Sequence, residues 1–279
     1  SVMKEKGVPF SFGVACYPEK HEEAPNMESD LAVLKQKADE GAAYAVTQAG
    51  LLCGHQLQAS GVSCVIAEAA TAARGITGNT TAKVTSQHGL CYSKLSSRFG
   101  PGVAGLYLEA NERALELLRS MSKQTDCDWR DQDNYIYSTA NPKALEAELT
   151  VLEDLGHPAQ LAQNLPLPFH TVGAVKFSRQ GQFHPLKFLS AIVPTLTVYE
   201  HTPVRQLVKN RAITDFGSIT AEKIIVATHF PFLNKHGSYF MKLYQQRSYV
   251  VALEGIWPLD GMYHESRSEE RRVGKECRS

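Results

Sequence analysis

AGLLCGHQLQASGVSCVIAEA, residues 49–69, changes character halfway along. Its first part, 49–61, reads as a short helix turned at Gly61, and its second, 62–69, as a strand closing on an acid, Glu68. A helix, a glycine turn and a strand ending in a carboxylate make the second half of a nucleotide-binding strand–helix–strand unit. In such a unit the acid accepts hydrogen bonds from ribose hydroxyls. Gly50 stands at the last glycine of G-x-G-x-x-G, where the absence of a side chain lets helix and strand pack closely. Counting back, the first two glycine positions hold Ala45 and Thr47. Glycines there bring backbone amides up to a pyrophosphate, and the β-branched Thr47 obstructs that approach. The plainer alternative is that Glu68 is a surface acid at a strand end.

Upstream, FSFGVAC (10–16) reads as a buried strand, SDLAVLKQKADEG (29–41) as a helix capped by Ser29, and AAYAVTQ (42–48) as a second strand. Downstream, helices are expected over 100–122 and 141–156, with strand pairs at 133–138, 196–208, 212–219 and 222–228. TAEKIIVATHFPF (220–232) contains an apolar strand closing on Ala227–Thr228. The strands at 62–68 and 223–228 are expected to share one parallel sheet. RSEERRVGKECRS (267–279) has dense mixed charge and no apolar periodicity, the composition of a solvated tail.

Hydrophobic residues make up 43% of the chain and charged residues 21%, the balance of a soluble globular protein. Lys plus Arg and Asp plus Glu are 29 each, so no net field attracts nucleic acid or an anionic membrane. The apolar runs are too short to span a bilayer, and the first residues, SVMKEKGVPF, lack a signal-peptide pattern. Six cysteines without a CxxC pair point away from a metal site and toward a reducing cytoplasm. His184, His201 and His236 show no ligand spacing and read as structural or surface residues. Oligomeric state is left open.

Three longer blocks carry a family resemblance: GNTTAKVTSQHGLCYSKL (78–95), FSRQGQFHPLKFLSAI (177–192) and IIVATHFPFLNKHGSYFMKLYQQRSYV (224–250). Together, residues 49–266 resemble the N-terminal half of bacterial FAD-dependent oxidoreductases of the D-amino-acid-oxidase-like family. The subgroup is the one that commonly carries a C-terminal Rieske iron–sulfur domain. The resemblance implies an α/β fold: a Rossmann-like, two-dinucleotide-type FAD-binding domain with a partial β-rich substrate domain inserted at about 126–195 and 245–266. It implies FAD as cofactor and a small amino or hydroxy acid as substrate, oxidised at a C–N or C–O bond by hydride transfer to flavin. FAD contacts are implied at Gly50, Glu68, Thr80, Thr81, Val204, Ala227 and Thr228. Val204, in VYEHTPVRQLV (198–208), matches a valine packed near the adenine, and Ala227–Thr228 a strand end beside the FAD. His229 stands where that pattern usually has glycine. The loop 74–95 matches one running past the pyrophosphate, and its His88 is the implied flavin contact and proton acceptor, since imidazole titrates near neutrality. A structural role is the alternative for His88.

Residues 1–48 are similar to a central segment of methylenetetrahydrofolate reductase, a flavin-containing (β/α)8 barrel. That resemblance implies FAD contacts at Tyr17, His21, Asp30 and Lys37 and a folate contact at Gln48. Barrel chemistry needs loops from several strands at one face, and one β-α-β piece cannot assemble it. Residues 267–279 resemble the conceptual translation of a sequencing adapter. The chain thus reads as a composite joined at Gln48–Ala49 and lacking the family's later segments, with AYAVTQ standing in for the family's first strand. Weak or absent FAD binding is expected of it. A methylenetetrahydrofolate reductase fragment and a non-catalytic, unstable fragment are the alternatives.

Overall fold

The structure, a computed structural model, describes residues 49–73, 77, 80–228 and 259–266. The expectations for Tyr17, His21, Asp30, Lys37, Ala45, Thr47, Gln48, His229, His236 and the tail 267–279 lie outside the described residues. The chain divides into two compact units, the second built from 82–124, 128–183 and the segment around 259–266, the first from the remainder.

The first unit opens with α1 (Ala49–Ala59) and β1 (Ile66–Ala67). The second then takes β2 (Lys83–Val84), α2 (Tyr92–Phe99), α3 (Pro101–Ser122), β3 (Arg130–Ser138), α4 (Pro142–Asp154), β4 (Gln160–Ala162) and β5 (Gly173–Gln182). The chain returns to the first unit for α5 (Pro185–Ile192), β6 (Val198–Tyr199), β7 (Val204–Val208), β8 (Arg211–Thr214) and β9 (Gly217–Thr220). It ends in the second unit with β10 (Met262–Glu265). Among the described residues no helix is long and apolar enough to cross a membrane.

In the first unit α1 stops where the sequence says it should. Gly61 has φ +78°, and the amides of Gly61 and Val62 reach back to the carbonyls of Gln58 and Leu57 at 2.9 Å each. Such paired bonds satisfy the last carbonyls of a helix and need a residue tolerant of the left-handed conformation. Gly54 then lets α1 lie on β1, because a Cβ there would come within 2.7 Å of Ile66 Cδ1. β1 pairs in parallel with β6, Ile66 opposite Val198 and Ala67 opposite Tyr199. Strands β7, β8 and β9 form a separate antiparallel sheet.

One expectation is corrected here. The parallel neighbour of β1 is β6, not 223–228, which forms no strand; Ile225 and Val226 are 58% and 45% exposed. In a dinucleotide-binding sheet the first strand lies between the acid-bearing strand and a later one. Among the described residues none bridges β1 and 223–228. The strand pairs expected at 196–208 and 212–219 each resolve into two strands, β6 and β7 in the first and β8 and β9 in the second. His201, at φ +51°, turns the chain between β6 and β7, and a tight hairpin pairs Thr214 with Gly217 between β8 and β9.

The second unit is a sheet ordered β10-β3-β5-β2, with β4 also on β5. The β3–β5 pairing is antiparallel and spans Arg130 to Ser138 with one irregularity at Gln132/Asn134, while β10 runs parallel to β3. Helix α4 begins as its sequence directs: Pro142 occupies the first turn and the Asn141 side chain accepts the Ala144 amide at 3.2 Å. Leu145, Glu148 and Leu152 share one face of α4 and are buried. Leu145 and Leu152 join Leu90, Tyr92, Leu108, Ile136, Val175 and Phe177 in the core of the unit.

Candidate functional site

In the first unit the sequence-predicted residues lie in the first turn of α1, just past β1, at the start of β7 and at 227–228. Gly50, in the first turn of α1, faces Ala227: a Cβ at Gly50 would meet Ala227 Cβ at 3.3 Å, tighter than an ordinary contact. Ala227 and Thr228 themselves are exposed. Glu68 lies just past the C-terminal end of β1, half-buried, with its amide on Tyr199 O at 2.9 Å and its carbonyl accepting Thr202 N at 2.8 Å. Glu68 Oε1 accepts the Ala70 amide at 2.9 Å, a bond that leaves the carboxylate further lone pairs. Val204 begins β7 two residues beyond Thr202, so Glu68 and Val204 are tied into one corner. Thr80 is half-buried and Thr81 exposed.

Sequence reasoning passed over Thr77, which is 2% exposed with an Oγ1 that has no hydrogen-bond partner among the described residues. A buried hydroxyl left alone is costly, so this one suits a bound polar group. A carboxylate closing a parallel strand, a glycine in tight approach to Ala227 and an orphaned buried hydroxyl fit the nucleotide end of a dinucleotide such as FAD.

His88 belongs to the second unit, in the segment between β2 and α2. That segment is staked down on every side. Gln180 Oε1 accepts both the Thr85 hydroxyl and the Ser86 amide at 2.8 Å. Gln87 donates to Val175 O at 2.9 Å and accepts from Asn134 Nδ2 at 2.7 Å. The Tyr92 hydroxyl donates to Ser86 O at 2.5 Å. Glu148, 1% exposed, holds the start of α2, its two oxygens accepting the amides of Tyr92 at 2.9 Å and Ser93 at 2.7 Å. Between these anchors His88 is half-buried, its Nε2 3.2 Å from Asn111 Oδ1 and its ring edge-on to Tyr107 at 6.3 Å. A partly exposed imidazole on a rigid loop can take up and release a proton without moving its backbone. A Glu at an apolar-stripe position of α4 was the sequence signal for Glu148; Asn111 left none.

Glu112, on α3, gives the same region a pH dependence. Burial pushes its carboxyl up, but hydrogen bonding with His157 and Ser86 and the positive charges of His157 and Arg119 outweigh this and hold it below the ordinary value of 4.5. At 3.6 Å, His157 Nε2 acts on it more as an ion-pair partner than as a close hydrogen bond. A depressed folded-state pKa contributes stability that is present in full above the unfolded value. That stability is therefore expected to be lost as pH falls from 4.5 through the lower folded value, and Glu112→Gln to flatten this part of the curve. Equal pH slopes for the two proteins between pH 5 and pH 3, in urea titrations, would refute the assignment.

Comparison with known proteins divides the chain in two. Residues 1–51 match the methylenetetrahydrofolate reductase family. There the chain is 49% identical over 47 residues to 5,10-methylenetetrahydrofolate reductase of Buchnera aphidicola subsp. Schizaphis graminum, covering 17% of this chain and 16% of that protein. A second match joins it to a Bacillus subtilis (strain 168) protein whose name describes a Rieske 2Fe-2S iron-sulfur protein, YhfW. That one is 34% identical over 229 residues, 77% of this chain and 45% of the relative. The chain thus spans less than half the length of either relative. Among solved structures, L-proline dehydrogenase from P. horikoshii is similar at TM-score 0.49 and 14% identity, covering 61% of this chain and 47% of that one. Glycine oxidase from Geobacillus kaustophilus is similar at TM-score 0.41 and 18% identity, covering 59% and 48%. Residues 49–273, four fifths of the sequence, match the family described as FAD dependent oxidoreductase, and the chain belongs to that family.

Proposed function

We propose that this chain derives from an oxidoreductase that oxidises a small amino or hydroxy acid at its C–N or C–O bond with FAD as hydride acceptor. FAD, when bound, supplies the redox chemistry, and the protein supplies orientation and proton handling. The approach of Gly50 to Ala227 carries the reading, with Glu68 at the end of a parallel strand of the same unit. It gathers three predicted positions, far apart in sequence, in one unit. Glu68 would hold the ribose hydroxyls, the turn before Gly50 the pyrophosphate, and Thr77 a polar atom of the nucleotide. His88, on the loop between β2 and α2 of the second unit, is the proposed proton acceptor.

The turn is also where this chain departs from its family. Ala45 and Thr47 stand at the glycine positions, and lost amide contacts there cost about 1.5–3 kcal/mol each. The unaltered chain is accordingly expected to bind FAD weakly, and Ala45→Gly with Thr47→Gly to improve binding in part. In that double-glycine background Glu68→Ala should weaken binding about 10- to 100-fold, one charge-assisted hydrogen bond at 1.4 kcal/mol per tenfold. The measurement is a titration with FAD followed by flavin fluorescence. Tight stoichiometric binding by the unaltered chain would show that the turn matters less than proposed. A double-glycine variant that binds no FAD, or one indifferent to Glu68→Ala, would overturn the reading.

A further inference from the structure

We infer that Glu200 is a positioning residue for the nucleotide end of the site: its carboxylate holds the turn that follows β1, and through that turn it orients Glu68. The inference rests on the proposed role of Glu68 at the ribose and names what keeps that acid in place; both residues belong to the first unit. The chain leaves β1 as EAATAA (68–73), a run with no glycine, proline, asparagine or aspartate to set a turn. Alanine by itself favours helix. The segment turns all the same, and Ala73 stands at φ +63°, a left-handed conformation that a residue with a Cβ keeps only when its surroundings enforce it.

The enforcing contacts come from the corner between β6 and β7. Glu200 Oε1 accepts the Ala72 amide at 2.7 Å across 128 positions of sequence. Beside it, His201 N donates to Ala70 O at 2.9 Å and Thr202 N to Glu68 O at 2.8 Å. The Glu200 bond is the side-chain member of this set, and its acceptor is charged, the shorter and stronger kind. Glu200 is braced in turn, because the Thr202 hydroxyl donates to its carbonyl at 2.9 Å. In the turn so held, the Ala70 amide points back and donates to Glu68 Oε1 at 2.9 Å. That bond fixes the plane of the carboxylate and leaves lone pairs of its other oxygen for ribose hydroxyls. Glu200 thus acts on the nucleotide through the backbone of 70–72 and Glu68. Without it the turn loosens, the Ala70 amide leaves Oε1, and Glu68 has to be ordered again each time a nucleotide binds.

The test is amide exchange with water, read by NMR on the 15N-labelled full chain at Ala70 and Ala72. The Gly61 amide, bonded to Gln58 O in the same unit, is the reference. Slow exchange is expected at all three in the unaltered chain. Glu200→Ala should speed Ala72 about tenfold, the worth of one bond to a charged acceptor, and should also speed Ala70, which Glu200 does not touch. Gly61 should not move, and Glu200→Gln, which keeps a carbonyl acceptor, should restore both alanines. Unprotected exchange at Ala72 in the unaltered chain overturns the inference, whether or not any variant folds. So does acceleration confined to Ala72, or equal acceleration at Gly61. In the double-glycine background, Glu200→Ala should weaken FAD binding several-fold, and should cost nothing further once Glu68 is replaced by alanine. An equal loss with and without Glu68 would make Glu200 a contact in its own right and overturn the positioning role. The exchange measurement needs no flavin: if no variant binds FAD the flavin reading falls, while Ala70 and Ala72 still decide whether Glu200 holds Glu68.

Discussion

Glu148→Leu is expected to destabilise the second unit by about 2–6 kcal/mol, two buried amides losing their acceptor at about 1–3 kcal/mol each. The carboxylate is 1% exposed and divides its two oxygens between Tyr92 N and Ser93 N. The N-cap residue of α2, Cys91, makes no side-chain capping bond of its own. The negative charge also lies at the positive end of the helix dipole, where it is stabilising. Leucine fills the space but cannot accept either bond. Glu148→Gln keeps one carbonyl oxygen for one of the two amides and should lose about half as much. Urea unfolding followed by circular dichroism measures both. A leucine variant within about 0.5 kcal/mol of the unaltered chain, the usual range for a surface substitution, would show that water or a backbone shift replaces the carboxylate.

Phe177→Ala should cost about 3–5 kcal/mol, the range for removing a large aromatic from a packed core. Phe177 is fully buried, stacks with Tyr92 at a centroid distance of 6.1 Å, and meets the His157 ring at 4.1 Å. Removing it opens a cavity beside His157 Nδ1, a buried nitrogen with no partner among the described residues. It also takes away the support of Tyr92, whose hydroxyl anchors Ser86 two residues before His88. The loss should therefore appear twice: as a lower unfolding midpoint and as broadening of the His88 resonances. Phe177→Leu, which fills most of the space, should show a smaller loss. A sharp, unshifted His88 signal in the alanine variant would separate the core from the loop it is argued to hold.

Residues whose behaviour depends on neighbours three or four positions away were legible in the sequence. The Pro142 start and Asn141 cap of α4, the long helix α3 and the Gly61 stop of α1 all follow from local spacing and capping chemistry. The strand at 133–138 was legible for the same reason, although β3 starts earlier, at Arg130. Strand partners were not. Nothing in KIIVAT (223–228) says which edge it meets, and the parallel place beside β1 went to β6.

The candidate site divides along the same line. The sequence by itself pointed to Gly50 and Glu68, because a nucleotide turn and a strand-end acid are local patterns, while Ala227–Thr228 came from the family resemblance. It also determined that Ala45 and Thr47 stand where glycines belong. Only the tertiary structure decided that Gly50 meets Ala227, that the Glu148 carboxylate caps a helix from another helix, and that Asn111 turns its oxygen toward His88. These contacts join residues between 23 and 177 positions apart. Their energy comes from desolvated hydrogen bonds and close packing, which exist only once both partners are brought together, and no local propensity encodes a partner that distant.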